Sequence, residues 1–554
     1  MHILNKILQG LLFVAIISLT LGNANAGVRH SDHQKAKGDD HKHSYHHAEK
    51  KHHKKKHAKK SQDWPTFHHD IALSGYTRAH APDDDYILWT YPTGGSVESS
   101  PAVVGNRVYV GSQDHYLYCL NKLTGAKVWA FDTGSQVPSS PAVDDGVVYI
   151  LSNNGMFYAL DADDGTLQWS RNIGSGSWDW SSPAVHDDNV FIASSTGILY
   201  SLDKATGSIN WNTNVGGEPD SPISVANGLV YTGTHNFDNS SATLVAVNEV
   251  TGAIAWSYDY YTYHGGITGM VDSNGAAIVD GDKDGDLDVY FGVYNWGGVG
   301  DQAVSLDTAA GTENWTQSIN GNSTSTPAVH HGKIFIGSDD GKLYALNATD
   351  GSVIWTYTTG GQIWSAPAVS GDGKVCFGSL DHFVYCVDEK TGSLVWSYYT
   401  GASRLRSSPA ISEGMLFIGN ENGKVYAFGP MPVEIDIKPG SFPNAINPRS
   451  HGVIPVAILT TPDFDATQVN PASVAFGSDG AGIVHGSGHS SDVDGDGDLD
   501  LLLHFKTQDS GVECGDRYME LTGETLAGIR IAGKDSIKTV GCKHHHEHKN
   551  KHKH

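Results

Sequence analysis

The chain has little positive charge, few cysteines and, beyond its first residues, no long apolar run. Its 554 residues include 37 Lys and Arg against 61 Asp and Glu, which gives a formal net charge of −24 at pH 7. This balance argues against nucleic acid as a partner. The five cysteines include neither an adjacent pair nor a C-x-x-C-H haem motif. After residue 21 no segment is apolar enough to span a bilayer.

Residues 1–26 have the pattern of a secretory signal peptide. Lys6 supplies the positive charge, residues 7–21 form the apolar segment, and Ala24-Asn25-Ala26 offers a small-residue cleavage site. The alternative, an uncleaved anchor, would need a longer apolar run. No cysteine follows the cleavage site, so we expect no lipid anchor. We therefore predict an exported protein in the periplasm, at the cell surface or outside the cell.

Residues 27–60 and 543–554 are rich in His and Lys and nearly free of apolar side chains. Such composition predicts disordered tails. Neutral imidazoles at this density predict binding of Zn²⁺, Cu²⁺ or Ni²⁺. The alternative is a solvated basic tail that adheres to anionic surfaces or to the acidic body. The histidines are His30, His33, His41, His43, His46, His47, His52, His53 and His57, then His544, His545, His546, His548, His552 and His554.

Residues 61–430 repeat one unit of four short β-strands. In the copy at residues 325–361, alternating β-branched and aromatic residues bounded by Asp-Gly turns indicate antiparallel strands. The step is 40 residues from Trp89 to Trp129, and it lengthens to 59 from Trp256 to Trp315, where the unit contains an insertion. A period near 40 with four strands per unit predicts a β-propeller. The closing tryptophans are Trp89, Trp129, Trp169, Trp211, Trp256, Trp315, Trp355 and Trp396.

The repeat count also predicts how the ring closes. Residues 86–91 form an outer-type strand with no inner strands before it, whereas residues 409–428 form inner strands with no closing Trp after them. We therefore predict an eight-bladed propeller whose last blade is completed by the N-terminal strand, which removes the open sheet edge.

The unit resembles the PQQ-like (quinoprotein) β-propeller repeat. The resemblance is carried by Leu343-Tyr344-Ala345-Leu346 followed by Gly351 and Trp355, and by the opening segment that starts at Trp64-Pro65. It implies the fold over residues 63–430. It leaves two functions open, because the family includes both dehydrogenases and non-catalytic scaffolds such as the propeller subunit of the outer-membrane β-barrel assembly machine.

An acidic loop lies within the longest repeat. Its carboxylates alternate along the chain around Gly285, and strands flank it on both sides. Clustered carboxylate oxygens of this spacing predict a Ca²⁺ site, to which Asp286 would add its carbonyl oxygen. Phe291 stands where an EF-hand would have its bidentate Glu, so the loop instead resembles the calcium hairpin of integrin-type FG-GAP blades. The predicted ligands are Asp280, Asp282, Asp284, Asp286 and Asp288.

A second acidic loop of the same spacing follows the propeller. We predict a second Ca²⁺ site there, because five carboxylates in one short ordered loop would otherwise repel each other. The alternative for both loops is a solvated acidic turn. The predicted ligands are Asp492, Asp494, Asp496, Asp498 and Asp500.

Residues 431–542 contain short strands separated by Pro, Gly and Asn turns, which predict a small β-sandwich. The segment resembles a C-terminal module of exported environmental proteins. Its only thiols, Cys514 and Cys542, are expected to form a disulfide. In the propeller, Cys376 and Cys386 lie on two strands of one hairpin and could face each other, whereas Cys119 is expected to be buried.

Two functions compete. A PQQ-dependent dehydrogenase for alcohols or sugars would use Ca²⁺ and, by resemblance, adjacent cysteines over the quinone, which this chain lacks. We therefore predict a non-catalytic scaffold without PQQ, which binds a protein or a cell-surface polymer through rim loops. The predicted contact residues are Trp178, Asp179, Trp180, residues 258–264, Asn295 and Trp296; alternatively, these side chains cover the core of the longest blade.

Overall fold

The computed structural model describes residues 62–174, 180–235, 242–260, 275–293 and 302–542. All of them belong to one compact unit, Ser61–His554. Within this described part, eight four-stranded antiparallel sheets form a ring of blades, followed by two further four-stranded sheets. The predicted eight-bladed propeller and β-sandwich are thus confirmed. No helix in the described ranges is long and apolar enough to cross a membrane.

The first strand, β1 (Ile87–Pro92), belongs to the last blade, and the next strands form the blades in order. Blade 1 contains β2 (Ala102–Val104), β3 (Arg107–Gly111), β4 (Tyr116–Asn121) and β5 (Lys127–Asp132). Blade 2 contains β6 (Ala142–Asp144), β7 (Val147–Leu151), β8 (Met156–Asp161) and β9 (Leu167–Asn172). Blade 3 contains β10 (Ala184–His186), β11 (Asn189–Ser194), β12 (Ile198–Asp203) and β13 (Ile209–Asn214). Blade 4 contains β14 (Ser224–Ala226), β15 (Leu229–His235), β16 (Ala242–Asn248) and β17 (Ile254–Asp259).

The second half of the ring follows the same order. Blade 5 contains β18 (Ala277–Val279), β19 (Asp288–Val293), β20 (Gln302–Asp307) and β21 (Glu313–Ser318). Blade 6 contains β22 (Ala328–His330), β23 (Lys333–Gly337), β24 (Lys342–Asn347) and β25 (Val353–Thr358). Blade 7 contains β26 (Ala368–Val369), β27 (Lys374–Gly378), β28 (Phe383–Asp388) and β29 (Leu394–Tyr399). Blade 8 contains β30 (Ala410–Ser412), β31 (Met415–Asn420) and β32 (Lys424–Phe428), with β1 as its outer strand.

The first strand of each blade is the innermost. These strands contact each other from blade to blade, as β2 does with both β6 and β30. The two middle strands are almost wholly buried, whereas the outer strands alternate between exposed and half-buried positions. The turns between first and second strands use left-handed residues, such as Asn227 and Gly228 with φ of 51° and 73°. Such pairs suit the tight hairpins that short antiparallel strands require.

Each blade is joined to the next through its outer Trp. The indole of Trp89 donates to the carbonyl oxygen of Lys122 at 2.9 Å, and that of Trp211 to Glu249 at 2.9 Å. The ring packs on a glycine in the same turn of the next blade. A Cβ added to Gly125 would lie 2.6 Å from a ring carbon of Trp89, so only glycine fits.

The ring closes at its inner and outer circumference. At the outside, β1 pairs antiparallel with β32, with Trp89 opposite Ala427. At the inside, the backbone N–H of Ser408 donates to Ser100 Oγ at 2.9 Å. These contacts confirm the predicted closure by the N-terminal strand.

The C-terminal sandwich begins directly after β32. Its strands are β33 (Met431–Pro432), β34 (Ile435–Ile437), β35 (Ala445–Ile446), β36 (Val453–Ile458), β37 (Ala475–Phe476), β38 (His489–Ser491), β39 (Asp500–Lys506), β40 (Tyr518–Glu524), β41 (Arg530–Ser536) and β42 (Lys538–Thr539). One sheet has the order β33-β41-β40-β37, the other β34-β36-β39-β38, and β35 pairs with β42. Apolar side chains of both larger sheets share one buried core, with Phe476 and Phe505 stacked at its centre.

Candidate binding face and metal sites

One position recurs at the entrance to each innermost strand, four residues before the strand begins. The next residue is a buried serine in every described case. That serine anchors its own blade, as Ser99 Oγ accepts from Gly111 N at 3.0 Å and Ser407 Oγ from Gly419 N at 3.0 Å. The preceding position, which we call the entrance position, instead varies in chemistry. Its described occupants are Glu98, Pro138, Trp180, Asp220, Thr324, Trp364 and Arg406.

Three neighbouring entrance residues form a charged and aromatic network. The Arg406 guanidinium lies 4.6 Å from the ring centroid of Trp364, a cation–π arrangement. Arg406 Nε lies 2.8 Å from Glu421 Oε1, and its Nη1 lies 3.8 Å from Glu98 Oε2. The Trp364 indole donates to Asp339 Oδ1 at 2.6 Å. One guanidinium therefore lies near two carboxylates, and the Trp364 indole on which it stacks binds a third.

Burial sets the electrostatics of this network. It raises the pKa of Glu98 above its ordinary value, an effect that the nearby Arg406 charge opposes. It also raises the pKa of Asp339, although the Trp364 hydrogen bond opposes the rise. Among the described residues, Glu98 Oε2 and Thr324 Oγ1 are buried atoms with no hydrogen-bond partner. Such atoms are costly to leave unsatisfied, so a ligand at this face would gain from meeting them.

An alignment of the repeat units with one another reveals the entrance residues, because the position before the recurrent serine is charged or aromatic in several units. Of these residues only Trp180 is among the contact residues predicted from the sequence, and it is half-buried at its entrance position. Tyr258 and Tyr260 are fully buried, so for these two the core-covering alternative is correct. Trp178, Asp179, residues 261–264, Asn295 and Trp296 lie outside the described residues.

The first acidic loop connects β18 to β19 in blade 5. One carboxylate oxygen from each of Asp280, Asp282 and Asp284 lies within 4.8 Å of the others. Gly285 has a φ of 104°, so the loop needs a glycine at its turn. Asp288 is engaged differently, since its two oxygens accept from Asn314 Nδ2 at 2.9 Å and Tyr290 Oη at 2.8 Å. Burial raises the pKa of Asp288, with Asp282 and Asp284 adding to the rise.

The second acidic loop connects β38 to β39 in the sandwich and repeats this arrangement. Asp492, Asp494 and Asp496 bring one oxygen each within 4.8 Å of the others. Asp500 is fully buried and accepts from the backbone N–H groups of Thr460 and Val493, each at 2.8 Å. Desolvation and the neighbouring Asp496 charge raise the pKa of Asp498 to about 6. In both loops the first three carboxylates converge, and the last holds the loop to the fold.

A third cluster, which the sequence did not predict, lies between blades 6 and 7. Glu389 follows β28 and has a side chain only 3 % exposed. Its carboxylate lies 3.2 Å from His330 Nδ1, 3.4 Å from His331 Nδ1 and 3.3 Å from Lys333 Nζ. Burial alone would raise the pKa of Glu389, but the His330 hydrogen bond and the His330 and Lys333 charges hold it below its ordinary value.

Four of the five cysteines form disulfides. Cys514 pairs with Cys542 in the sandwich, and Cys376 pairs with Cys386 across β27 and β28 of blade 7. Cys119 is a buried free thiol in blade 1, where burial raises its pKa to about 12. A thiol protonated over the whole physiological range is a poor nucleophile.

The eight Trp-docked blades and the serine-anchored entrances define a β-propeller of the PQQ-like repeat class. The chain belongs to the family described as "Outer membrane protein assembly factor BamB", whose model matches residues 74–177, 171–290 and 300–440. A search of curated proteins finds no match.

Solved structures share the fold at low sequence identity. A europium-containing methanol dehydrogenase is 15% identical, with a TM-score of 0.56, over 67% of this chain and 98% of that one. The quinohemoprotein alcohol dehydrogenase from Comamonas testosteroni is 16% identical, with a TM-score of 0.56, over 66% and 80%. The computationally designed protein Ika8 is 16% identical, with a TM-score of 0.51, over 63% and 100%. These likenesses concern the fold alone.

Proposed function

We propose that this protein is an exported, non-catalytic scaffold that binds a protein or a cell-surface polymer through one face of its propeller. This entrance face is the surface that contains the entrance positions of the blades. Ca²⁺ stabilises the body through the two acidic loops, and the His-rich tails bind Zn²⁺, Cu²⁺ or Ni²⁺. Export rests on the signal-peptide pattern of residues 1–26.

The observation that favours binding over catalysis is the arrangement of the cysteines. A quinoprotein dehydrogenase is expected to hold adjacent cysteines over its quinone, but here no two cysteines are adjacent in the sequence. Two of the three propeller cysteines are paired with each other across strands, and the third is buried.

The entrance face also fits PQQ poorly. This quinone carries three carboxylates, whereas the network around Trp364 supplies three carboxylates of its own and one guanidinium that already lies 2.8 Å from Glu421. Like charges brought together at a partly buried site repel strongly. The donor set of this network therefore disfavours PQQ.

The same network suits a partner with cationic or hydrogen-bond-donating groups. Glu98 Oε2 is buried without a hydrogen-bond partner in the described part of the chain, and Trp364 and Trp180 supply aromatic side chains at two other entrance positions. Aromatic and Arg side chains are the usual anchors of binding interfaces. A net charge of −24 would also attract a basic partner from a distance.

The binding face is tested with the full-length protein against isolated cell-envelope fractions treated with protease or left untreated. Trp364→Ala and Arg406→Ala should each reduce retention of the protein, because they remove the stacked pair. Val250→Ser is the matched surface control, since Val250 is 83 % exposed in the turn between β16 and β17. Loss of retention after protease treatment would indicate a protein partner, and its persistence a polymer.

A second experiment tests whether the protein is a PQQ-dependent dehydrogenase. The protein is titrated with PQQ in the presence of Ca²⁺, and dye-linked oxidation of alcohols and sugars is measured. We expect neither stoichiometric PQQ binding nor oxidation. Stoichiometric binding with alcohol or sugar oxidation would establish the alternative, a PQQ-dependent dehydrogenase.

A further inference from the structure

The cluster between blades 6 and 7 has the spacing of a metal site. Four ligand atoms bonded to Zn²⁺ at 2.0–2.1 Å in a tetrahedron lie about 3.3–3.4 Å apart. His330 Nδ1 and His331 Nδ1 lie 3.2 and 3.4 Å from the two oxygens of Glu389. The second of these distances exceeds the usual length of a hydrogen bond, 2.7–3.2 Å. One ligand atom from each of the three residues lies within 4.8 Å of the other two.

The turn between β22 and β23 explains why two neighbouring histidines reach the same carboxylate. Successive strand residues normally point to opposite faces. His331 instead adopts a left-handed conformation, with a φ of 49°, directly after the end of β22. The equivalent turn in blade 2 likewise brings two neighbouring side chains to one partner. Asp144 Oδ2 and Asp145 Oδ2 lie 2.9 and 3.1 Å from Lys204 Nζ of blade 3.

This comparison within the ring distinguishes the cluster from an ordinary contact between blades. The residue after the third strand is Lys122, Lys204, Glu249 or Glu389 in four blades, and each contacts the first turn of the preceding blade. Lys204 meets two carboxylates, which is an ion pair, and Glu249 meets the single histidine His186. Only at Glu389, among these four, does one carboxylate meet two imidazoles.

We propose that His330, His331 and Glu389 bind one Zn²⁺ ion, which joins blade 6 to blade 7. Two imidazoles and a carboxylate are a common zinc donor set, and solvent supplies the remaining position. The site is already organised. Glu389 is held by its backbone, which donates to Gly373 and accepts from the Trp355 indole, and His330 stacks on Tyr76 at 3.8 Å. His331 is 65 % exposed, which gives the ion a path from solvent.

Lys333 distinguishes the metal site from a purely ionic contact. Its ammonium lies 3.3 Å from Glu389 Oε1, the same oxygen that His331 approaches. A cation at this distance competes with the metal ion and repels it. Removing that charge should therefore strengthen Zn²⁺ binding, whereas it would only weaken an ion-pair network.

The test uses the full-length protein, so that the tails contribute equally in every variant. Zn²⁺ binding is measured at pH 7.5 by equilibrium dialysis, and the melting temperature is recorded over the same Zn²⁺ range. His331→Ala and Glu389→Gln should each lose about one bound ion, or bind it at least 10-fold more weakly, and should lose the Zn²⁺-dependent rise in melting temperature. Lys333→Met should bind that ion more tightly than the wild type.

His186→Ala is the matched control, because it alters the related contact with Glu249 and should leave Zn²⁺ binding unchanged. Glu389→Gln alters a buried group and could fail to fold, so the exposed His331→Ala carries the decision. The proposal is overturned if His331→Ala binds Zn²⁺ and is stabilised by it as the wild type is. It is equally overturned if Lys333→Met leaves Zn²⁺ affinity unchanged or lowers it.

Discussion

The indole nitrogen of Trp396 donates a hydrogen bond to the carbonyl oxygen of Pro82 at 2.9 Å, across a separation of 314 residues. Every other outer Trp of the repeat donates to the residue that follows the third strand of the next blade, as Trp355 does to Glu389. In blade 8 the N-terminal segment supplies both the outer strand and this acceptor. The segment before β1 is therefore part of the ring closure.

We expect removal of this segment to open the ring. Deleting residues 61–92 removes β1 and exposes the edge of β32, and an unpaired edge strand favours aggregation. Size-exclusion chromatography and thermal unfolding should show aggregates and a lower melting temperature. Deletion of residues 27–60 is the control and should leave both unchanged. A monomeric 61–92 deletion with the wild-type melting temperature would contradict the closure.

Calcium removal should destabilise the body. A ligand that binds only the folded state adds about 2.7 kcal/mol at a hundredfold excess over its dissociation constant. A chelator should thus lower the melting temperature, and Asp282→Asn and Asp494→Asn should each remove part of this response. Asp463→Asn, an exposed residue outside both loops, is the control. Melting that is insensitive to chelation after verified metal removal would leave both loops as solvated acidic turns.

The segment before β1 is also held by charge. Lys374 Nζ contacts Asp372 and lies 2.7 Å from Asp83 Oδ1, while Arg530 of the sandwich lies 2.6 Å from Asp83 Oδ2. Burial alone would raise the pKa of Asp372, but hydrogen bonds from Lys374 and Ser370 and the Lys374 charge hold it below the ordinary value of 3.8. A carboxyl with a lowered folded pKa contributes stability above its unfolded pKa, and this contribution is lost as the pH falls through the folded pKa.

Asp372→Asn should accordingly lower the free energy of unfolding at pH 7, by about 1–3 kcal/mol. The difference from the wild type should shrink at pH 3, below the unfolded pKa, because there the unfolded chain binds a proton at Asp372 more readily than the folded one does. Urea denaturation at the two pH values measures both differences. An equal difference at pH 7 and pH 3 would show that the Asp372 charge contributes nothing.

The tails should bind transition metals in a pH-dependent way. Their nine and six histidines have an ordinary pKa near 6.5, so most are neutral at pH 7.5 and protonated at pH 5.5. Calorimetry with Zn²⁺, Cu²⁺ and Ni²⁺ should show several ions per chain at pH 7.5 and far fewer at pH 5.5. A variant restricted to residues 61–542 should lose most of these sites but keep the one assigned to Glu389 and its histidines. Equal binding by both chains would place the transition-metal sites in the body.

The sequence by itself determined the blades and their number. Each unit of about 40 residues contains its own strand pattern and glycine-containing turns, and every unit but the last ends in its own closing Trp, so each blade can be recognised without its neighbours. The unpaired strand at residues 86–91 also predicted the closure, because a ring with one outer strand missing has a free edge. The acidic loops were visible for the same reason, since their carboxylates are close together in the chain.

Only the tertiary structure decided which residues of different blades meet. Glu389 lies 59 residues from His330 in the chain, and Arg406 reaches Glu98 only because the ring is closed. The structure likewise showed that Asp288 and Asp500 accept hydrogen bonds from protein donors, whereas the first three carboxylates of each loop converge. A repeat specifies its own blade through local contacts, but contacts between blades depend on how the side chains of adjacent units are brought together when the ring packs.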